Sequence, residues 1–268
     1  MRFGLITAVF LALGSLLSAC ATTPETGRQQ LSLVSDEQMI QMGEEAYKQL
    51  LSESKISKNR ELNAQVQEIG RRIAQASGVD YNWEFTVIDD PKTVNAFCLP
   101  GGKVGVYTGL IPIAENTAGL AAVIGHEVAH AVLRHSSERM SQEMLTKAGL
   151  TLASVGFSNS KYRDMIAGAL GIGAAYGITL PFSRFHEAEA DEVGLEYMAK
   201  AGYDPQEAVA LWQRMGEVGG GSRPPELLST HPDPARRAKD LQSKMPGALA
   251  LYRSSPQKTG TQKFAVGH

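Results

Sequence analysis

The segment LAAVIGHEVAHAVLRH, residues 120–135, constrains this chain more than any other. Leu120, Ala121, Val123, Ile124, Val128, Ala129, Val132 and Leu133 surround a helical wheel, so a helix here has no face to give to water and must be buried. His126, Glu127 and His130 interrupt that run, and three buried polar side chains are costly unless something satisfies them. Positions four apart lie about 40° apart around a helix and one turn along it, so His126 and His130 share a face. Two imidazoles so placed suit a zinc ion, and Glu127 can reach a metal-activated water without taking a coordination position. His135 falls about 140° from His130 on the same wheel and reads as a surface residue or as support behind the ligands.

Two imidazoles are too few for a catalytic zinc, which usually has three protein ligands and an open position. The stretch SRFHEAEADEVG, residues 183–194, offers the remainder. Glu187 and Asp191 are again four apart on one helix face. One can bind the metal while the other holds a ligand imidazole in its tautomer, an arrangement common behind metal sites. His186, Glu189 and Glu192 are offset from that face and read as solvated.

The amino terminus bears on location. Arg2 precedes an apolar run from Phe3 to Leu17 that closes on LLSAC, ending at Cys20. This pattern reads as a signal peptide over residues 1–19, cut at a lipobox with Cys20 then lipidated, and acyl chains hold a protein at a bilayer. Ala21, rather than Asp, follows the cysteine, which by resemblance to Gram-negative lipoproteins directs the product to the outer membrane, facing the periplasm. Residues 20–32 are polar and read as a tether. With Cys20 lipidated, Cys98 is the one remaining thiol, so no internal disulfide forms, and Cys98 reads as a small apolar residue in a strand. The formal charge of −2 and the lack of a basic run argue against a nucleic-acid partner.

Between its ends the chain reads as one domain, residues 33–252, of the α+β class and mainly α. Helical patterns begin at Asp36 and at residue 59, the second stopping at Gly78. WEFTVID alternates as a strand, and VNAFCLPGGKVGVYTGL reads as a hairpin turning at Pro100-Gly101-Gly102. Helices follow over 117–140, 141–156, 162–180, 184–201, 205–217 and 233–244, with a flexible loop over 216–228 and a disordered tail over 253–268. The uncharged stretch 165–182 reads as a buried helix, its glycines allowing close packing, rather than a span of the membrane.

Taken with STHPDPARRAKDL, residues 229–241, these blocks resemble the HtpX-like, CAAX-prenyl-protease-like zinc metallopeptidases of peptidase family M48, in their soluble bacterial lipoprotein branch. The resemblance covers about residues 30–245. It implies a gluzincin-like catalytic domain whose small antiparallel sheet sets an edge strand, within residues 95–110, beside the HExxH helix. One zinc per chain is implied, held by His126, His130 and Glu187, with Asp191 orienting His126. Glu127 is then the general base. His231 and Arg237 are implied near the zinc, stabilising the oxyanion or, for the histidine, filling the open position at rest. The expected substrates are misfolded or stalled envelope polypeptides. The alternative is a periplasmic chaperone or assembly factor for outer-membrane proteins whose zinc is mostly silent.

Overall fold

The computed structural model describes residues 20–151, 182–219 and 225–264. A hairpin of β1 (Cys20–Thr22) and β2 (Gln29–Leu31) comes first. Helix α1 (Asp36–Glu53) starts on a capping box in which Ser35 and Gln38 exchange side-chain and backbone bonds. Helix α2 (Arg60–Ser77) is capped by Asn59 and stopped by Gly78 in the left-handed conformation, as its pattern predicts. Strands β3 (Glu84–Ile88), β4 (Ala96–Leu99) and β5 (Lys103–Tyr107) form one sheet in the order β3-β5-β4. A single helical turn, α3 (Ile111–Ala114), leads to α4 (Thr117–Val132). Then come α5 (His135–Thr151), α6 (Arg184–Lys200), α7 (Gln206–Gly219), α8 (Glu226–Thr230) and α9 (Pro234–Ser254).

Helix α4 is the axis of the molecule. All of its residues are buried, packed against β4, β5 and α2 and against α6 and α7, on which α9 packs in turn. It crosses α6 with almost no side-chain spacer. A Cβ on Gly194 would lie 2.8 Å from both the Gly125 carbonyl carbon and the His126 nitrogen, so the backbones touch there. Two glycines therefore let the HExxH helix and the Glu-x-x-x-Asp helix meet.

The mainly helical α+β reading holds, with several corrections. The sheet is mixed rather than antiparallel, because β3 runs parallel to β5 while β4 pairs with it antiparallel. Strand β4 is nevertheless an edge strand beside α4. The helix expected over 117–140 breaks at Leu133–Arg134, where Arg134 takes a left-handed φ of 58°. Residues 20–32 are a folded hairpin docked on the body through Arg28, and not a loose tether. The tail folds back as well: Lys263 bridges Asn116, the Thr259 N–H donates to the Gly202 carbonyl, and Phe264 is buried. Part of the loop expected over 216–228 is the short helix α8, and α9 continues through Pro246 to Ser254. The signal peptide, the part of the helix expected over 141–156 that follows Thr151, all of 162–180, and the apolar segment 165–182 except Phe182 lie outside the described residues. Among the described residues no helix is long and apolar enough to cross a membrane.

Candidate metal centre

Helix α4 delivers His126 and His130 to one buried point, with their Nε2 atoms 3.0 Å apart. Helix α6, brought in by the Gly125–Gly194 contact, adds Glu187, whose carboxylate oxygens lie 3.5 Å from His126 Nε2 and 3.4 Å from His130 Nε2. His231, just past α8, places its Nδ1 3.1 Å from His126 Nε2 and 2.9 Å from Glu187 Oε1. These four groups make up the metal-competent cluster among the described residues, and all are buried. A tetrahedral zinc with ligand bonds of about 2.0–2.1 Å spans ligand–ligand edges of about 3.3 Å. Five of the edges here, taken to the nearer Glu187 oxygen, run from 2.9 to 3.5 Å, and one ligand atom from each of the four residues lies within 4.8 Å of the others.

The donor chemistry points the same way. Asp191 Oδ1 lies 3.1 Å and Arg237 Nη2 2.9 Å from His126 Nδ1; with the Nδ1 proton donated to the Asp191 carboxylate, the Nε2 lone pair faces the cluster. The facing lone pairs and the Glu187 carboxylate, whose Oε2 has no hydrogen-bond partner, are stabilised together by a cation. The charges agree: Glu127, Glu187 and Asp191 surround the Arg237 guanidinium, a balance that a dication neutralises. Burial and Arg237 push the His126 imidazole down, yet the Asp191 and Glu187 carboxylates outweigh them and hold it up to about 9, so the cluster draws positive charge. Burial would raise Glu187, but His231, Arg237 and bonds from the two imidazoles hold it well below the usual carboxylate range. Burial and the neighbouring His126 push His130 well down, leaving it neutral for ligation. The residues fit zinc.

Glu127 stands apart from the ligand set. Its Oε1 is 3.5 Å from His231 Nε2 and has no hydrogen-bond partner. Burial pushes its carboxyl up, toward the range in which it can take and give back a proton. Arg237 forks onto Asp191, with Nε 2.8 Å from Oδ2 and Nη2 2.5 Å from Oδ1. It also stacks over Trp212, 3.4 Å from the ring centroid. Its Nη1 lies 3.0 Å from Glu187 Oε2 without the alignment of a hydrogen bond. Arg237 therefore braces the two carboxylates.

Two residues depart from their sequence reading, and a third, His135, takes the second of the two places read for it, behind the ligands. His135 is fully buried, its Nδ1 2.9 Å from His130 Nδ1. Glu189 and His186, expected to be solvated, are buried beneath the N-terminal hairpin and α5. Only Glu192 is exposed, paired with Lys244. The break after Leu133 turns His135 back toward His130, and a wheel drawn through an unbroken helix cannot show that.

A family model for peptidase family M48 matches residues 60–245. The mitochondrial metalloendopeptidase OMA1 of Schizosaccharomyces pombe is 36% identical over 237 residues, covering 87% of this chain and 68% of that protein. The human mitochondrial metalloendopeptidase OMA1 is 31% identical over 264 residues, covering 93% of this chain and 49% of the relative. The beta-barrel assembly-enhancing protease of Escherichia coli is 28% identical over 232 residues, covering 83% and 47%. The chain thus spans about half the length of the latter two.

Proposed function

The chain belongs to peptidase family M48 and is a metalloendopeptidase, and on that premise we propose that it is a zinc enzyme held at the outer membrane by lipid on Cys20, cleaving misfolded or stalled envelope polypeptides. The observation that carries the zinc reading is the buried convergence of His126, His130 and Glu187 beside an unpartnered Glu127 oxygen. Location rests on the LSAC pattern at residues 17–20, as in the soluble lipoprotein branch. The substrate class draws on that location and on the printed name of the bacterial relative.

Bound zinc supplies Lewis-acid chemistry, polarising the scissile carbonyl and acidifying the attacking water. Glu127 takes the proton of that water and passes it to the leaving amine. Asp191 fixes the His126 tautomer, and Arg237 holds Asp191 and Glu187 in place. His231, whose Nδ1 stands against His126 Nε2 and Glu187 Oε1, would be the fourth group to hold the ion at rest and would have to turn aside to admit substrate. An extended substrate lies along the β4 edge, where Cys98 directs its backbone groups away from β5.

A second reading has one observation in its favour. Four side-chain ligands close the cluster, as in structural or silent zinc sites, and this suits a chaperone. Glu127→Gln separates the two. It should keep zinc and lose cleavage of casein. Undiminished cleavage removes Glu127 from the mechanism, whereas client binding without cleavage by the unmodified protein favours the chaperone.

A further inference from the structure

A ligand imidazole is held in place through its second nitrogen, and the structure shows what His130 uses. His130 Nε2 faces the cluster, so its proton sits on Nδ1 and is donated outward. Nδ1 lies 2.9 Å from His135 Nδ1. That nitrogen must then be an acceptor, which leaves the His135 proton on Nε2, 3.1 Å from Glu189 Oε2. Each link fixes the next. Glu189 in turn accepts from the Thr26 hydroxyl at 2.5 Å and from Arg28 Nε at 3.0 and 3.2 Å. Arg28 spends its other nitrogens on Glu138, at 2.7 and 3.1 Å. Thr26 and Arg28 both belong to the N-terminal hairpin, between its turn and β2.

Resting on the reading of His130 as a metal ligand, we propose that His135 and Glu189 are positioning residues for it. Thr26 and Arg28 complete the relay, so the hairpin that begins at Cys20 is a working part of the metal centre. His126 reaches its carboxylate directly, whereas His130 reaches one through a second imidazole. Burial makes this more than decoration: His135 is 0% and Glu189 9% exposed, so no water substitutes for a lost partner. The relay also ties metal affinity to the seating of the hairpin, the stretch of chain nearest the proposed lipid.

The test uses the full chain loaded with zinc. Zinc affinity is measured by competition with a chromophoric chelator, and ligand geometry by the visible spectrum after cobalt(II) replacement. His135→Leu should weaken zinc about 10–100-fold, the usual cost of losing an outer partner of a ligand, and should shift the cobalt bands. His135→Asn, which returns an acceptor toward His130 and an amide donor toward Glu189, should recover most of both. Arg28→Met should weaken zinc by a smaller factor, while Glu192→Gln, exposed on the same helix as Glu189, should change nothing. Should His135→Leu fail to fold, Glu189→Gln, which keeps an acceptor for His135 but loses its charge, carries the same test. Wild-type zinc affinity and cobalt bands in these variants, with only the melting temperature lowered, would reduce the relay to fold support. A His130→Ala variant that binds zinc as tightly as wild type overturns instead the ligand assignment beneath it.

Discussion

The helix crossing that assembles the centre yields a prediction with a worked magnitude. In Gly194→Ala the new methyl would stand 2.8 Å from the Gly125 carbonyl carbon and from the His126 nitrogen. Both are main-chain atoms of a buried helix and cannot rotate away, so α4 and α6 must separate. Overpacking costs about 1–3 kcal/mol, and backbone contact puts this site near 3. Alanine's better helix propensity returns about 1 kcal/mol. The net loss of about 2 kcal/mol lowers the melting temperature by roughly 4–8 °C in a domain of this size. Separation also draws Glu187, two turns earlier on α6, away from His126, so bound zinc should fall with stability. Gly247→Ala in α9 is the control: it is exposed, nothing lies within 4 Å of its added methyl, and it should gain up to about 1 kcal/mol. Thermal melts by circular dichroism, with zinc content measured on the same samples, decide the matter. A Gly194→Ala protein as stable as Gly247→Ala would refute the idea that backbone contact at this crossing brings the ligands together.

His231→Ala should keep zinc on the remaining three ligands and raise basal casein cleavage several-fold, because the fourth corner is then free for water; lost cleavage with zinc retained would assign His231 to the oxyanion alone. Burial would raise Glu138, but bonds from His186 and Arg28 hold it down to about 2. Its folded value lies below the ordinary 4.5, so its stabilisation is complete above pH 4.5 and is lost as the pH falls toward 2. Arg28→Ala, which breaks the half-buried pairs to Glu138 and Glu189, should cost roughly 1–2 kcal/mol at pH 7 in urea denaturation of metal-free protein. That deficit should shrink at pH 3, and a deficit independent of pH would show that Arg28 contributes through packing alone.

What was legible in the sequence is what an unbroken element carries by its own period. His126 with His130, and Glu187 with Asp191, are four apart on continuous helices, so spacing alone places each pair on one face. Asn59 and Gly78 mark helix ends by local backbone chemistry and needed nothing from the rest of the fold. The parallel pairing of β3 with β5 was hidden, because no local turn links those two strands. His231 was reachable only by resemblance, as a histidine before a proline has no spacing that points to an ion.

The misreadings of His186 and Glu189 share one physical origin, and it also decides between the two places read for His135. Helix α6 is polar around much of its circumference, which on its own describes a wet helix; here two separate buried faces use those polar groups. One meets α4 and α9 at the metal cluster, and the other meets α5 and the N-terminal hairpin. The second face exists because the chain breaks at Leu133–Arg134, with arginine in a conformation that favours glycine or asparagine and that no local signal announces. Arg134 is held there from outside, its Nη2 2.5 Å from Asp36 Oδ2 at the start of α1. The imidazoles of His126 and His130 thus end on carboxylates of the same helix by different routes, Asp191 by helical period and Glu189 by a tertiary break. Only the first could be read from spacing.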